Sequence, residues 1–387
     1  MATRAEQVTH AAPVAGDRPL TILFPFVGGL VGGSHISAAM LIESLDRAEF
    51  RPLVLIHGDG GAVAEMLTGR GLAFEAGPPA LFPMGGNLLM SLPERVRFLK
   101  ARGVDIVHTN EGRMHVAWGL AARAAGVPML WHHRGNPGAR GLRYLAPWVA
   151  DRVVSVSRFA APPAGLVSAA ARTTVIHSPF EWRRGQDYSA AAAAARRELG
   201  VPADTIVLGF FGHFAARKRP LVFIETVAAL RLAMPGRRFV GLMFGAELDS
   251  GLEARMRSAI DRLDLGDCVR LMGFRRPIEP WIAACDVNVV TAVDEPFGRT
   301  LIEAMLIGTP VVAAASGGNI EAIRDGETGI LVERDSPAAF ARGIAALLEP
   351  GRAAAMARIA ADEARKRFSV DAHAEAVECL YRDLVAA

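Results

Sequence analysis

Cysteine is scarce: Cys268, Cys285 and Cys379 are the only three in 387 residues, and their scatter makes neither a pairing framework nor a metal-ligand pattern. That argues against a disulfide scaffold and for a reducing cytoplasm. Long apolar runs are also missing. No stretch approaches the roughly 18 residues that a membrane-spanning helix needs, and residues 1–18 lack the apolar core of a signal peptide, so they read as a short flexible tail. Net charge is small, +3, too weak to imply nucleic acid, so none is expected as a partner, but it suits anionic substrates or an acidic membrane surface. No HExxH, no Ser-His-Asp spacing and no Asp-x-Asp pair occurs, so hydrolase and metal-dependent readings lack support. The basic residues are nearly all arginine. Lysine occurs three times, as Lys100, Lys218 and Lys366, and Lys218 is the one whose position asks for an explanation.

What is present is a rhythm. Short β-rich runs alternate with helical stretches, the pattern of parallel βαβ units. The first half carries LTILFPFV (20–27), RPLVLIHG (51–58), VDIVHTN (104–110), PMLWHH (128–133), DRVVSVS (151–157) and TTVIHSP (173–179). The polar, alanine-rich segment 181–204 interrupts the rhythm, and IVLGFFG (206–212) restarts it. RFVGLMFG, CVRLMGF, VNVVTA, PVVAA and GILVE follow, then three closing helices at about 336–349, 351–367 and 370–385. Because single cores stop growing near 250 to 300 residues, the expectation is an α/β protein of two Rossmann-like domains facing a central cleft. The domains span 19–195 and 196–368, and a final helix at 369–387 is expected to return to the N-terminal domain. Ligands are expected at the carboxyl ends of the strands. His57, His108, His132, His133, His177 and His213 all fall at such ends, which predicts a polar cleft.

Four clusters carry candidate chemistry. Glu295 and Glu303 stand eight positions apart in EPFGRTLIE. Pro296 drives Glu295 out of the α region, Gly298 permits close passage, and a helix starting near Arg299 turns the amides of Arg299, Thr300 and the next residue towards an anion. Glu303, one turn on, shares a face with Arg299 and suits sugar or ribose hydroxyls. In FPFVGGLVGGSHISAAM, glycines including Gly32 and Gly33 lie between the first strand and the first helix. Their spacing departs from GxGxxG, so no nicotinamide cofactor is expected. In FFGHFAARKRP, Arg217, Lys218 and Arg219 precede a helix, where they oppose its dipole unless an anion sits among them. In WHHRGNPGARG, His132, His133 and Arg134 leave a strand whose alternation sends neighbours to opposite faces, so at least one of the two histidines is structural.

The run EPFGRTLIEAMLIGTPVVAAASGGNIEAIRDGETGILV resembles the E-x7-E and Gly-Gly-x-x-E block of glycosyltransferase family 4, the retaining enzymes of GT-B fold, and the likeness extends over nearly the whole chain. The resemblance implies that Glu295 lies near the donor sugar and that Glu303 accepts from ribose hydroxyls. Phe297 and Gly298 would border the sugar and phosphates, and Gly33 the phosphates from the first domain. Lys218 matches the diphosphate-binding lysine, and Gly273 with Phe274 would border the base. Two positions depart from the family pattern. His213 stands where an arginine is usual, with Arg217 as a candidate substitute. Arg134 stands where the first-domain histidine is usual, so the role is open among His132, His133 and Arg134.

The activity implied is a retaining, metal-independent transfer of a sugar from a nucleoside-diphosphate sugar, a UDP- or GDP-sugar, to a hydroxyl on a glycan, a lipid-linked acceptor or a small molecule. Lys218, Arg217 and the helix amides would stabilise the leaving diphosphate. The donor is a co-substrate, and no cofactor is expected. Glu295 would position the sugar while the leaving phosphate takes the acceptor proton, although a double displacement stays open. Rivals are a phosphorylase-like or epimerising enzyme of the same fold and a non-catalytic sugar-nucleotide-binding protein. Segment 78–103 reads either as a loop and amphipathic core helix, the preferred reading, or as a peripheral contact with the inner face of a membrane.

Overall fold

The computed structural model describes residues 18–29, 31–58, 60–77, 87–182 and 186–386. The tail expected over 1–18 lies outside the described residues except for Arg18, which pairs with Asp105 at 2.7 Å. Apolar runs become strands buried on both faces, as parallel sheets between helical layers require. The first sheet contains β1 (Leu20–Val27), β2 (Phe50–His57), β3 (Glu75–Ala76), β4 (Ile106–Thr109), β5 (Met129–His133), β6 (Arg152–Ser155) and β7 (Thr173–Val175), in the order β3-β2-β1-β4-β5-β6-β7. The second contains β8 (Ile206–Phe211), β9 (Phe239–Phe244), β10 (Val269–Gly273), β11 (Val287–Val290), β12 (Val311–Ala314) and β13 (Ile330–Val332), in the order β10-β9-β8-β11-β12-β13. Every pairing between these strands is parallel, and β1 runs beside β2 in unbroken register from Leu20 opposite Phe50 to Val27 opposite His57.

The strand order reverses between β1 and β4 in one sheet and between β8 and β11 in the other. Those two switch points are where a crevice opens beyond the strand ends, and the loops that follow these four strands supply much of the site described below. The helix Ser189–Leu199 packs through Ala195 and Leu199 into the core of the second sheet, so the chain on both sides of position 195 belongs with that sheet. The helix Leu92–Ala101 buries Leu99 and Arg95 in the first domain, the amphipathic core helix preferred for that segment, while residues 78–86 lie outside the described residues.

The chain crosses between domains twice, and the crossings touch. The Phe180 N–H donates to the Phe368 carbonyl at 2.9 Å, and Phe180 bridges Ser369. Beyond that point the helix Val370–Ala386 lies on the first domain, where Val377, Leu380 and Tyr381 join Phe24, Leu41 and Phe50 in one core. Arg382 also forks onto Glu49 at 2.8 and 3.0 Å.

Of the six histidines behind the expected polar cleft, His133 and His213 line the cavity described below, and the packing takes the others away from it. His57 is fully buried and accepts from the Trp118 indole at 3.1 Å. His108 and His132 are buried too, because their side of the pleat faces the returning helix. His108 meets the Tyr381 hydroxyl and, at 3.2 Å, His132. His132 stacks on His373, whose Nδ1 donates to the His177 carbonyl at 2.8 Å. Loss of water pushes His57 and His177 down to about 4 and His373 down to about 3. The sign follows. These rings are neutral in the fold and charge in the unfolded chain below about pH 6.5, so the unfolded state binds the extra protons and stability falls as pH drops. Urea titrations at pH 7 and pH 5 should differ by about 2 kcal/mol for each such histidine. A His373→Gln variant should flatten that slope, and an unchanged slope would contradict the assignment.

Candidate functional site

A cavity of about 720 Å³ lies between the two sheets. Its second-domain wall begins after β8. Gly212 has φ near +145°, and a Cβ built there would touch the Lys218 side chain at 3.6 Å, so the lysine folds back over the glycine. The cationic triplet does not open a helix as its sequence suggested. Ala216–Lys218 form a single 3-10 turn, and Arg219, at φ 52°, caps the helix Pro220–Ala233. The turn is fastened to the segment that follows β11: the Thr291 hydroxyl donates to the Lys218 carbonyl at 2.7 Å and the Val293 N–H to the Arg217 carbonyl at 2.9 Å. Arg219 is drawn off to Asp335 at 2.8 Å, which leaves Arg217 and Lys218 for the cavity.

Both cations meet Glu295. Glu295 is 9% exposed, and its carboxylate is bonded by Arg217 and lies 2.9 Å from the Lys218 ammonium. The backbone of Glu295 is pinned by the glycine pair at 317 and 318. The Gly318 N–H donates to the Glu295 carbonyl at 2.8 Å, and a Cβ at Gly318 would stand 2.4 Å from the Pro296 carbonyl oxygen. Only glycine allows that approach. From this fixed turn the chain enters the helix Arg299–Ile307, with Gly298 extended as its N-cap. The Ile302 N–H is the first to reach back, to the Gly298 carbonyl at 3.5 Å, so the amides of residues 299–301 lie ahead of the helical ladder. Phe297, Arg299 and Thr300 line the cavity.

The first-domain wall contributes Gly33, which starts the helix Gly33–Ser44, together with His133 and Arg134 from the end of β5. His133 Nε2 donates to the Asn136 carbonyl at 3.0 Å, which places the ring proton on Nε2. His132 points the other way, as the alternation of a strand requires. Of the three candidates left open, His133 and Arg134 reach the cavity and His132 does not. His213 lies exposed at its rim. Arg299 crosses the gap between domains. It donates to the Ser37 hydroxyl at 3.2 Å, lies over the Phe180 ring at 4.4 Å and stands 3.5 Å from Glu303. A Cβ at Gly33 would meet its side chain at 2.9 Å.

Other expected residues are placed apart from this cavity. Glu303 lines a neighbouring hollow of about 520 Å³ with Arg276, Pro277 and Glu279, and Arg299 forms the partition between the two spaces. Burial raises the Glu303 carboxyl above its usual range, against the opposing pull of Arg299. Gly273 (φ +69°) and the exposed Phe274 lie at the end of β10, and the Arg276 guanidinium stands over the Phe274 ring. Gly32 is the extended N-cap of the first helix, and its N–H donates to His35 Nδ1 at 3.1 Å.

Residues that motif reading missed include Asn110, Glu111 and His115. Glu111 accepts from the Val27 N–H at 2.6 Å and stands 3.3 Å from His35, which ties the glycine loop to the end of β4. His115 accepts or donates with the Thr109 hydroxyl at 2.7 Å and stacks on Trp131 at 4.0 Å. The signal for all three was their position just after the strand VDIVHT at a switch point, since they match no motif. Among the described residues no group of three or more His, Cys, Asp or Glu side chains is placed to hold a metal ion, and no helix is long and apolar enough to cross a membrane.

Family comparisons divide at the same place as the fold. Residues 31–181 match the model described as Glycosyltransferase Family 4, and residues 205–350 match the one described as Glycosyl transferases group 1. Each half of the chain thus carries a glycosyltransferase domain. Two parallel-sheet domains facing a cleft give the chain the GT-B fold of solved glycosyltransferases. It superimposes on Anabaena HepE in complex with UDP at a TM-score of 0.78 and 25% identity, over 94% of this chain and 100% of that one. The HepE complex with UDP-glucose gives 0.77, also at 25% identity and with the same coverage. Among curated relatives, the D-inositol 3-phosphate glycosyltransferase of Saccharomonospora viridis is 38% identical over 204 residues, 50% of this chain and 47% of the relative. That of Streptomyces scabiei is 31% identical over 266 residues, 62% and 58% respectively. The chain spans about half the length of the curated relatives it matches.

Proposed function

We propose that this chain transfers a sugar from a nucleoside-diphosphate sugar to a hydroxyl acceptor, with retention at the anomeric carbon and without a metal ion. The observation that carries the reading is the pairing of Glu295 with Lys218 and Arg217 beside the start of the helix Arg299–Ile307. Two cations and a row of unladdered amides converge where a diphosphate would leave, and one carboxylate holds the cations in place until it arrives. Charge accumulating on the departing phosphate is what such a transfer must stabilise, and fixed donors do this with little reorganisation. Lys218 and Arg217 take the role that a divalent cation plays elsewhere. Glu303, in the adjoining hollow, accepts from the ribose hydroxyls. Gly273 and Phe274 border the base, while Phe297 and His133 face the sugar.

In this mechanism Glu295 positions the sugar, and the leaving phosphate takes the acceptor proton on the same face. No side-chain nucleophile is required. The likeness to HepE, crystallised with UDP and with UDP-glucose, supports a nucleotide sugar as donor. A carbohydrate acceptor is in keeping with the names of the inositol phosphate relatives.

The test is a calorimetric panel of UDP, GDP, ADP and their hexose conjugates against the full chain, in buffer containing EDTA. One diphosphate should bind selectively, and its sugar conjugate should turn over at the same rate with and without EDTA. Loss of turnover in EDTA would refute metal independence. Absence of any nucleotide binding would refute the transferase reading as a whole.

A further inference from the structure

Arg134 is a cation without a counter-ion. Its guanidinium donates to the Ser178 hydroxyl at 3.2 Å, the Asn110 amide oxygen at 3.5 Å and His132 Nδ1 at 3.4 Å, all neutral groups, and among the described residues it pairs with no carboxylate. Its Nε has no partner. The surroundings push its pKa down to about 9, first through loss of water and then through repulsion by Arg299. The carboxylates nearby are already engaged: Glu295 with Arg217 and Lys218, Glu111 with the Val27 N–H, and Glu303 with Arg299. A cation withdrawn from water and left unmatched is unfavourable unless a ligand supplies the missing charge.

Asn110 gives an independent indication. It is 3% exposed and lines the cavity, and its Nδ2 has no partner. Arginine only donates, so the amide atom facing Arg134 is the oxygen, which leaves the free atom as a donor. An unpaired guanidinium N–H and an unpaired amide N–H therefore belong to adjacent, hydrogen-bonded side chains on the first-domain wall, across the cavity from the lysine turn. Both need an acceptor, and the guanidinium needs a negative one.

We propose that this wall binds a second anion, a carboxylate or phosphate carried by one of the two substrates in addition to the donor diphosphate, with Arg134 and Asn110 as its ligands. The proposal rests on the transferase reading for the identity of the diphosphate site. A planar guanidinium matches a carboxylate or phosphate in two-point geometry, so Arg134 selects for charge and shape together. If the anion rides on the donor, the sugar is a uronic acid. If it rides on the acceptor, the acceptor is a phosphorylated or carboxylated polyol.

The experiment titrates the full chain and its Arg134→Gln and Arg134→Lys variants with UDP, UDP-glucose and UDP-glucuronate, or the same series on whichever base binds. With the diphosphate site saturated, glucose and glucose 6-phosphate follow. Wild type should prefer one charged probe over its neutral counterpart by about tenfold or more. Arg134→Gln should erase that preference and Arg134→Lys should keep part of it, while the affinity for bare UDP moves less than about threefold, which also shows that the variants fold. A preference in the donor series places the anion on the sugar, and one in the second series places it on the acceptor. Equal binding of charged and neutral probes by wild type overturns the proposal. So does an Arg134→Gln variant that loses bare UDP as strongly as it loses the charged probe, which would make Arg134 a diphosphate ligand. If no nucleotide binds wild type, the transferase reading fails on its own, and glucose 6-phosphate against glucose on the three proteins still decides whether Arg134 holds an anion.

Discussion

Replacing Lys218 with alanine is expected to lower kcat by about 10² to 10³-fold, the loss seen when one preorganised donor to a developing negative charge is removed. Three features make this lysine hard to replace. It is one of only three in the chain, its carbonyl is held by Thr291, and its ammonium stands 2.9 Å from the carboxylate that shares the site. Binding of free nucleoside diphosphate should weaken far less than turnover, because the helix amides and Arg217 remain. Arginine at this position should rescue poorly, since a planar fork cannot occupy the place of a compact point charge folded over Gly212. Steady-state transfer and diphosphate titration on the same samples make the comparison. A folded Lys218→Ala protein that keeps kcat within about fivefold would show that the departing charge is stabilised elsewhere.

Glu295→Gln should produce opposite movements in binding and in turnover. With no diphosphate bound, the carboxylate is the counter-ion of both Arg217 and Lys218, so an arriving diphosphate competes with it. The isosteric amide keeps the shape and removes the competition. Affinity for the free diphosphate should rise by about tenfold, while kcat falls by about 10²-fold as the sugar loses its carboxylate and the product leaves slowly. Calorimetry and pre-steady-state kinetics separate these two effects. A variant that binds the diphosphate more weakly than wild type would mean that the cations still need Glu295 once the diphosphate is bound, and that the carboxylate does not oppose the ligand.

Strand identity was legible because a strand between two helical layers is an uninterrupted apolar run. LTILFPFV became β1 residue for residue, whereas the two-residue β3, with both residues exposed at a sheet edge, has no such run and went unread. The turn around Glu295 was legible for a different reason. Pro296, Gly298 and the glycine pair at 317 and 318 are backbone instructions, and the close packing of Gly318 on Pro296 carries them out. Neighbourhood across the fold could not be read in this way. Which of His132 and His133 faces the cavity depends on the phase of the pleat relative to a helix more than 230 positions later. Asn110 and Arg134 are 24 residues apart and meet only because β4 and β5 are adjacent. The partition made by Arg299 was hidden as well, since its contacts with Ser37 and Phe180 belong to the other domain and to the crossing segment.

The touching crossings at Phe180 and Phe368 bear on how the two walls of the site can move. Two separate tethers would let the halves slide and tilt independently. Tied to each other by the Phe180 N–H and braced by Phe297 against both aromatic rings, they behave as a single pin at one edge of the molecule. Sliding would stretch that bond, whereas swinging preserves it, so the soft motion is a rotation that opens the gap at the far side much more than near the pin. Glu321 marks the limit of that swing, because its carboxylate in the second domain accepts from the Arg158 and Phe159 amides of the first at 2.8 and 2.9 Å. A wider jaw must release those two bonds and the Arg299–Ser37 bond across the gap, so opening proceeds against a few discrete side-chain contacts.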